Sequence, residues 1–326
     1  MNELVIRADA SRSVGTGHVM RSLAFAEAAA DRGVPVRFVV GGDSTATGLV
    51  ANRGFGAVFV ADPHDHRWVD DATDRSVVLV DGLHFDDELF ASVAGSRAHL
   101  AVMEDIPAIR YADVVISPET TGGLVHEHAA GALVLAGITY APIRREFRRR
   151  RRLRRRIGPD GSLLITLGGS DAAGLTGRLA TAVTPPRTYG FARCTIITGP
   201  LTPRLDGFDG SPSVTVRHDV DDMSLLYDDA DVAVSAAGTG AWELMCMGVP
   251  SVFVEVSDNQ AFMSVAINGA GAGVGIGTWD GDDRTVRAAL GSLRDDRTYR
   301  AVSESALAYI DGLGAERVVD GLRAAF

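Results

Sequence analysis

Short apolar runs rich in valine, isoleucine and leucine alternate along this chain with longer amphipathic stretches, and that rhythm most constrains its fold. Glu3 to Arg7 reads as a strand, Val19 to Arg32 as a helix and Val36 to Val40 as the next strand, the βαβ pattern of a parallel sheet. Further strands are expected at Ala57 to Val60, Val77 to Val80, Leu100 to Met103, Val114 to Ile116 and Leu133 to Leu135, with a helix at Asp86 to Val93. The series restarts at Leu163 to Leu167, followed by a helix at Asp171 to Val183. Strands are then expected at Cys194 to Ile197, Val214 to Val216, Val232 to Val234 and Ser251 to Val254. Thr285 to Leu293 and Ser303 to Ala325 read as closing helices. With 326 residues, the chain exceeds what one core usually organises. The expectation is two Rossmann-like α/β domains whose parallel sheets face a central cleft.

An arginine run separates the two series. The chain contains no lysine, and ten of its 32 basic residues fall between Arg144 and Arg156. The expected division is therefore a first domain over 1–142, a connection over 143–157 and a second domain over 158–326. Arg148 to Arg156 are expected to form a solvated helix. The formal net charge of -10 argues against a surface that tracks nucleic acid, which needs a basic face. Cys194 and Cys246 form neither a disulfide framework nor a metal-binding pair, which fits a reducing cytoplasm. Neither a secretory leader nor an apolar run long enough to span a membrane is visible, so no membrane span is expected.

Three loops between strand and helix carry residues suited to chemistry. In Arg7 to His18, Gly15 and Gly17 permit a tight turn that delivers His18 to the start of a helix, where an imidazole can take a proton near neutral pH. A capping histidine is the alternative. In the second loop, Gly168 and Gly169 expose backbone N–H groups and Ser170 adds a hydroxyl, which suits a diphosphate at a helix N-terminus. Ser170 or Asp171 can equally cap the helix. In the third, Ala237, Gly238 and Thr239 allow close approach of an anion, and Glu243 suits ribose hydroxyls unless it is a solvated helix residue. Downstream, Asn259 and Gln260 carry paired amides fit for sugar hydroxyls. His64 with His66 and His126 with His128 have HxH spacing but read as exposed loop residues, so no metal site or cofactor is expected. Trp242, Met245 and Met247 read as packing.

Together, RADASRSVGTGHVMRSLAFAEA, LAGITYAPIRREF, LGGSDAAGLT and SAAGTGAWELMCMGVPSVFVEVSDNQ resemble, in order and spacing, the pseudaminic-acid pathway UDP-sugar hydrolase and its spore-coat polysaccharide relatives. The resemblance implies a GT-B fold. It also implies metal-independent cleavage of a nucleotide sugar, expected to be a UDP-sugar, into free sugar and nucleoside diphosphate. His18 then matches the residue that activates water, supported by the Gly15 and Gly17 turn. Gly168, Gly169, Ser170, Gly238 and Thr239 match the diphosphate loops, with Ala237 also on the nucleotide side, while Glu243 matches the ribose contact and Val220 the segment along the base. Asp9, Asp81, His84, Tyr140, Arg144, Asn259 and Gln260 fall on the sugar side. Two positions depart from the family pattern: Leu83 stands where a tyrosine is usual and Ser117 where an asparagine is common. A glycosyltransferase passing the sugar to a small-molecule or glycan acceptor, and a non-catalytic nucleotide-sugar-binding protein, are the alternatives.

Overall fold

The computed structural model describes all of the chain except residues 43, 104–109, 119–130, 159, 172–173 and 209–210 and the side chain of Asn259. The chain divides into two compact units, Met1–Arg144 with Gly312–Phe326, and Arg145–Asp311.

Among the described residues, the first unit holds seven parallel strands: β1 (Glu3–Ala8), β2 (Val36–Val40), β3 (Ala57–Phe59), β4 (Ser76–Asp81), β5 (His99–Met103), β6 (Val114–Ser117) and β7 (Leu133–Ala136). Their order is β3-β2-β1-β4-β5-β6-β7. In β1, Leu4 and Ile6 join one core while Val5 joins another on the opposite face. A parallel sheet covered on both faces demands such a continuous apolar run. Helix Gly17–Ala30 packs Val19 and Leu23 against the first face, and helix Asp87–Ala94 packs Leu89, Phe90 and Val93 against the other. Asp86 caps that second helix by accepting from the Leu89 N–H at 3.1 Å.

The last helix, Gly314–Ala325, lies outside the second domain to which its position after residue 158 had assigned it. Its apolar stripe of Ala315, Val318, Val319 and Leu322 enters the first unit's core beside Val19 and Leu23. Gly314 permits this docking, since a Cβ there would lie 2.1 Å from the Ala141 carbonyl oxygen.

The second unit holds β8 (Ser162–Thr166), β9 (Arg193–Thr198), β10 (Val214–His218), β11 (Val232–Ala236), β12 (Ser251–Glu255) and β13 (Val274–Thr278), all parallel. Their order is β10-β9-β8-β11-β12-β13. The helix expected from Asp171 begins only at Leu175, because Asp171 (φ 42°) and Gly174 (φ 63°) both adopt left-handed backbone. In each sheet the chain's direction of travel reverses once, between β1 and β4 and between β8 and β11. Loops at the carboxyl ends of strands beside such a reversal are where α/β sheets hold ligands.

The arginine run does not form the expected solvated helix. Arg145–Arg149 makes a short helix with Phe147 fully buried, and the described residues between it and β8 form no helix or strand. Their guanidinium groups cap helix C-termini. Arg151 donates to the carbonyl oxygens of Cys246 at 3.1 Å and Ile310 at 2.5 Å, and also to that of Leu307. Arg154, only 8% exposed, donates to the Asp228 and Ala230 carbonyls at 3.1 and 3.0 Å, and pairs with the Asp228 carboxylate at 3.2 Å. Helix ends leave such carbonyls without intrahelical partners, and a five-donor guanidinium satisfies several at once. We expect Arg154→Met to lower stability by about 2 kcal/mol or more, because it strands buried acceptors. The exposed Arg155→Met should stay within about 0.5 kcal/mol of the parent. Urea midpoints of the two variants check this.

Among the described residues, no helix is long and apolar enough to cross a membrane.

Candidate active site

In the first unit, β1 and β4 are neighbours with Ala8 opposite Asp81, so their carboxyl ends bring Asp9 and Asp81 to one edge of the sheet. Helix Gly17–Ala30 begins at the same edge and places His18 in its first turn. His18, Arg21 and Ser22 stand three and four residues apart on the helix and therefore share a face. That face meets Asp81. The carboxylate, fully buried, accepts from His18 Nδ1 at 2.8 Å, from Arg21 Nη2 at 2.6 Å and Nε at 2.8 Å, and from Ser22 Oγ at 3.0 Å.

Burial by itself would raise the Asp81 carboxyl, but the Arg21 charge and the hydrogen bonds of His18 and Arg21 outweigh it and hold the group well below the usual carboxylate range. An ionised carboxylate only accepts hydrogen bonds, so His18 must carry its proton on Nδ1. In the neutral ring Nε2 then carries the lone pair. Asp81 thereby orients the His18 ring through Nδ1. Arg21 and Ser22 were missed in the sequence, although their spacing from His18 was visible.

Asp9 has a parallel set of partners. It accepts from His84 Nε2 at 2.9 Å, from Arg7 and from the Gly41 backbone N–H. Burial again works against ionisation, and His84, Arg7 and Gly41 together bring the carboxyl below its ordinary value. Gly15 takes φ 83° and its N–H donates to the Ser11 carbonyl at 2.7 Å, which closes the turn before His18. Tyr140 is not brought to this cluster by any contact described: it lies half-buried in a one-turn 3-10 helix after β7 and packs on the first unit's core. Arg144 is buried at the end of the unit. Ser117 is buried at the end of β6, and Leu83 is 54% exposed beside His84.

In the second unit, the Gly168–Ser170 loop follows β8 and the Gly238–Thr239 turn follows β11, so the chain reversal brings these two loops to neighbouring strand ends. Gly168 takes φ 94°, and the Gly169 carbonyl accepts from the Leu201 N–H at 3.1 Å. Asp171 supplies the helix cap, accepting from Leu175 and Thr176 N–H at 2.9 and 3.0 Å. Gly238 precedes helix Thr239–Cys246 and its carbonyl accepts from the Ala241 N–H at 2.8 Å. The Ala237 N–H donates to the Val254 carbonyl at 2.9 Å. Glu243 is only 6% exposed, which overturns the solvated-helix alternative. Gln260 braces its own loop, its Oε1 accepting from Val256 N–H at 3.0 Å, and the side chain of Asn259 lies outside the described residues. Val220 follows β10 at the sheet edge, two strands from β8.

Trp242, Met245 and Met247 are buried as packing residues. His64 is exposed and groups with exposed Asp86 and Glu88, their ligand atoms within 4.8 Å of one another. His66 differs from its expected exposure, since both its ring nitrogens are buried. His126 and His128 lie outside the described residues.

No family model matches the chain. An uncharacterized protein of Methanocaldococcus jannaschii is 23% identical over 277 residues, covering 79% of this chain and 56% of that protein. The Aquifex aeolicus UDP-N-acetylglucosamine–N-acetylmuramyl-(pentapeptide) pyrophosphoryl-undecaprenol N-acetylglucosamine transferase is 31% identical over 144 residues, 41% of each chain. The chain thus spans about half the length of the curated relatives it matches. Among solved structures, Acinetobacter baumannii MurG superposes with a TM-score of 0.62 at 16% identity over 99% of both chains. Two parallel-sheet α/β units of this kind make the fold GT-B.

Proposed function

We propose that the chain is a nucleotide-sugar hydrolase, acting at the anomeric carbon with water as nucleophile and His18 as base. The observation that carries this reading is the buried Asp81, which Arg21 keeps ionised and which fixes His18 with Nε2 as its basic atom. In the step, Nε2 takes a proton from water as the water oxygen bonds to the anomeric carbon. The bond from that carbon to the diphosphate oxygen breaks, and its electron pair leaves with the nucleoside diphosphate. The charge that develops on the leaving group suits the backbone N–H groups of the Gly168–Ser170 loop and the helix beginning at Thr239. Glu243 suits the ribose. A UDP-sugar is the substrate class the reading favours, in keeping with the UDP-N-acetylglucosamine named for the Aquifex relative.

That relative's transferase activity favours a second reading, in which His18 deprotonates an acceptor hydroxyl. Incubation of the purified chain with UDP-, dTDP-, GDP- and CMP-sugars separates the two. Free sugar and the matching nucleotide, a nucleoside diphosphate or, from a CMP-sugar, CMP, formed at equal rates without acceptor support hydrolysis. Release that is slow until an acceptor is added supports transfer.

A further inference from the structure

His64 faces two carboxylates at once. Its Nδ1 lies 3.4 Å from Asp86 Oδ2 and 3.8 Å from Glu88 Oε2, both longer than an ordinary hydrogen bond, and the three groups place donor atoms within 4.8 Å of one another. Asp87, between the two acids in sequence, is instead taken by Arg110. Among the described residues, His64 is the only basic group within ion-pair distance of Asp86 or Glu88, in a chain with 32 arginines.

The two segments that carry these side chains are anchored in one core. Trp68 and Val69, just past His64, belong to the same buried cluster as Leu89, Phe90 and Val93 of helix Asp87–Ala94. The remaining atoms of two of the groups are also held. Asp86 Oδ1 accepts from the Leu89 N–H at 3.1 Å, which leaves Oδ2 toward His64, and the His64 backbone N–H donates to Asp62 Oδ1 at 3.0 Å. Two carboxylates beside a neutral imidazole therefore leave an excess of negative charge, with three electron-pair donors converging.

We propose that His64 Nδ1, Asp86 Oδ2 and Glu88 Oε2 bind a divalent transition-metal ion of the zinc class, which ties the loop before Arg67 to the start of helix Asp87–Ala94. Ligand atoms about 2.0–2.2 Å from a tetrahedral zinc ion lie about 3.3–3.6 Å from one another, close to the separations found here. The exposed Glu88 side chain can rotate to close the small difference. The nitrogen donor selects zinc over magnesium or calcium, which take oxygen ligands. Three protein ligands leave the fourth position to water. The two charges of the ion offset those of the two carboxylates, and the site neither uses His18 nor depends on the nucleotide-sugar reading.

Calorimetric titration of the EDTA-treated protein with zinc chloride tests this. The parent should bind zinc, and His64→Gln and Glu88→Gln should each weaken its tightest zinc site at least about tenfold, the least that losing even a residue behind a metal ligand costs. Both variants replace exposed side chains, so their melting temperatures in EDTA should match the parent's. Replacing His126 and His128, the other HxH pair, with glutamine should leave the zinc affinity unchanged, and magnesium chloride should bind more weakly than zinc chloride. Four outcomes would overturn the proposal: no zinc uptake by the parent, an affinity that either single variant keeps within tenfold, a loss that follows His126 and His128 instead, or magnesium bound as tightly as zinc.

Discussion

Asp81→Asn is expected to lower the stability of the first unit by about 3–5 kcal/mol and turnover by at least about a hundredfold. The stability loss follows from charge burial. Arg21, whose side chain is 9% exposed, would lose the buried Asp81 carboxylate that it now grips, and removing one member of a buried pair costs about that much. Against a total stability of about 5–15 kcal/mol, this effect outweighs any single surface substitution. The activity loss has a separate cause. An amide can donate to Nδ1 and so hold His18 in the wrong tautomer, which removes the lone pair from Nε2.

The same variant should change the response to acid. Asp81 and Asp9 are both held below their ordinary values in the folded chain, so between the folded and unfolded values the unfolded state binds more protons. Their stabilisation is fully present above about pH 4, the unfolded aspartate value, and is lost as pH falls through the lower folded values. Asp81→Asn should therefore flatten the acid limb of a plot of denaturant midpoint against pH. An acid limb as steep as the parent's would show that the Asp81–Arg21 pair does not govern it.

His18→Gln carries the second large effect and isolates the chemistry. No buried charge loses its counterion, because Arg21 still holds Asp81, so the melting temperature should stay within a few degrees of the parent. Turnover should fall by about 10² to 10⁴, the usual worth of a general base, with KM changed far less than kcat. A fall confined to KM would make His18 a binding residue instead.

Much of the fold was legible because parallel strands buried on both faces must be continuous apolar runs, as Leu4 to Ile6, Val77 to Val80 and Val232 to Val234 are. β13 was not, because its glycines at 275 and 277 break the run. Helix Ser44–Ala51 was missed for a related reason: STATGLVA has no charged residue to set off an apolar stripe. The docking of Gly314–Ala325 was illegible in principle, since an amphipathic helix shows the same stripe whichever core it covers. The arginine run misled because charge density reads as solvation, whereas the guanidinium groups of Arg151 and Arg154 serve carbonyls far along the chain. His18 was found through its glycine turn. The role of Asp81 was not, because it arises from the pairing of β1 with β4 and from a helix face sixty residues earlier.

Hydrolysis in H₂¹⁸O, with mass spectra taken before the free sugar exchanges its anomeric oxygen, tests most directly whether His18 activates water toward the anomeric carbon. The expected result is one ¹⁸O in the released sugar, an unlabelled nucleoside diphosphate, and loss of both products in His18→Gln. Label in the diphosphate, or release at the parent's rate by His18→Gln, would contradict the account.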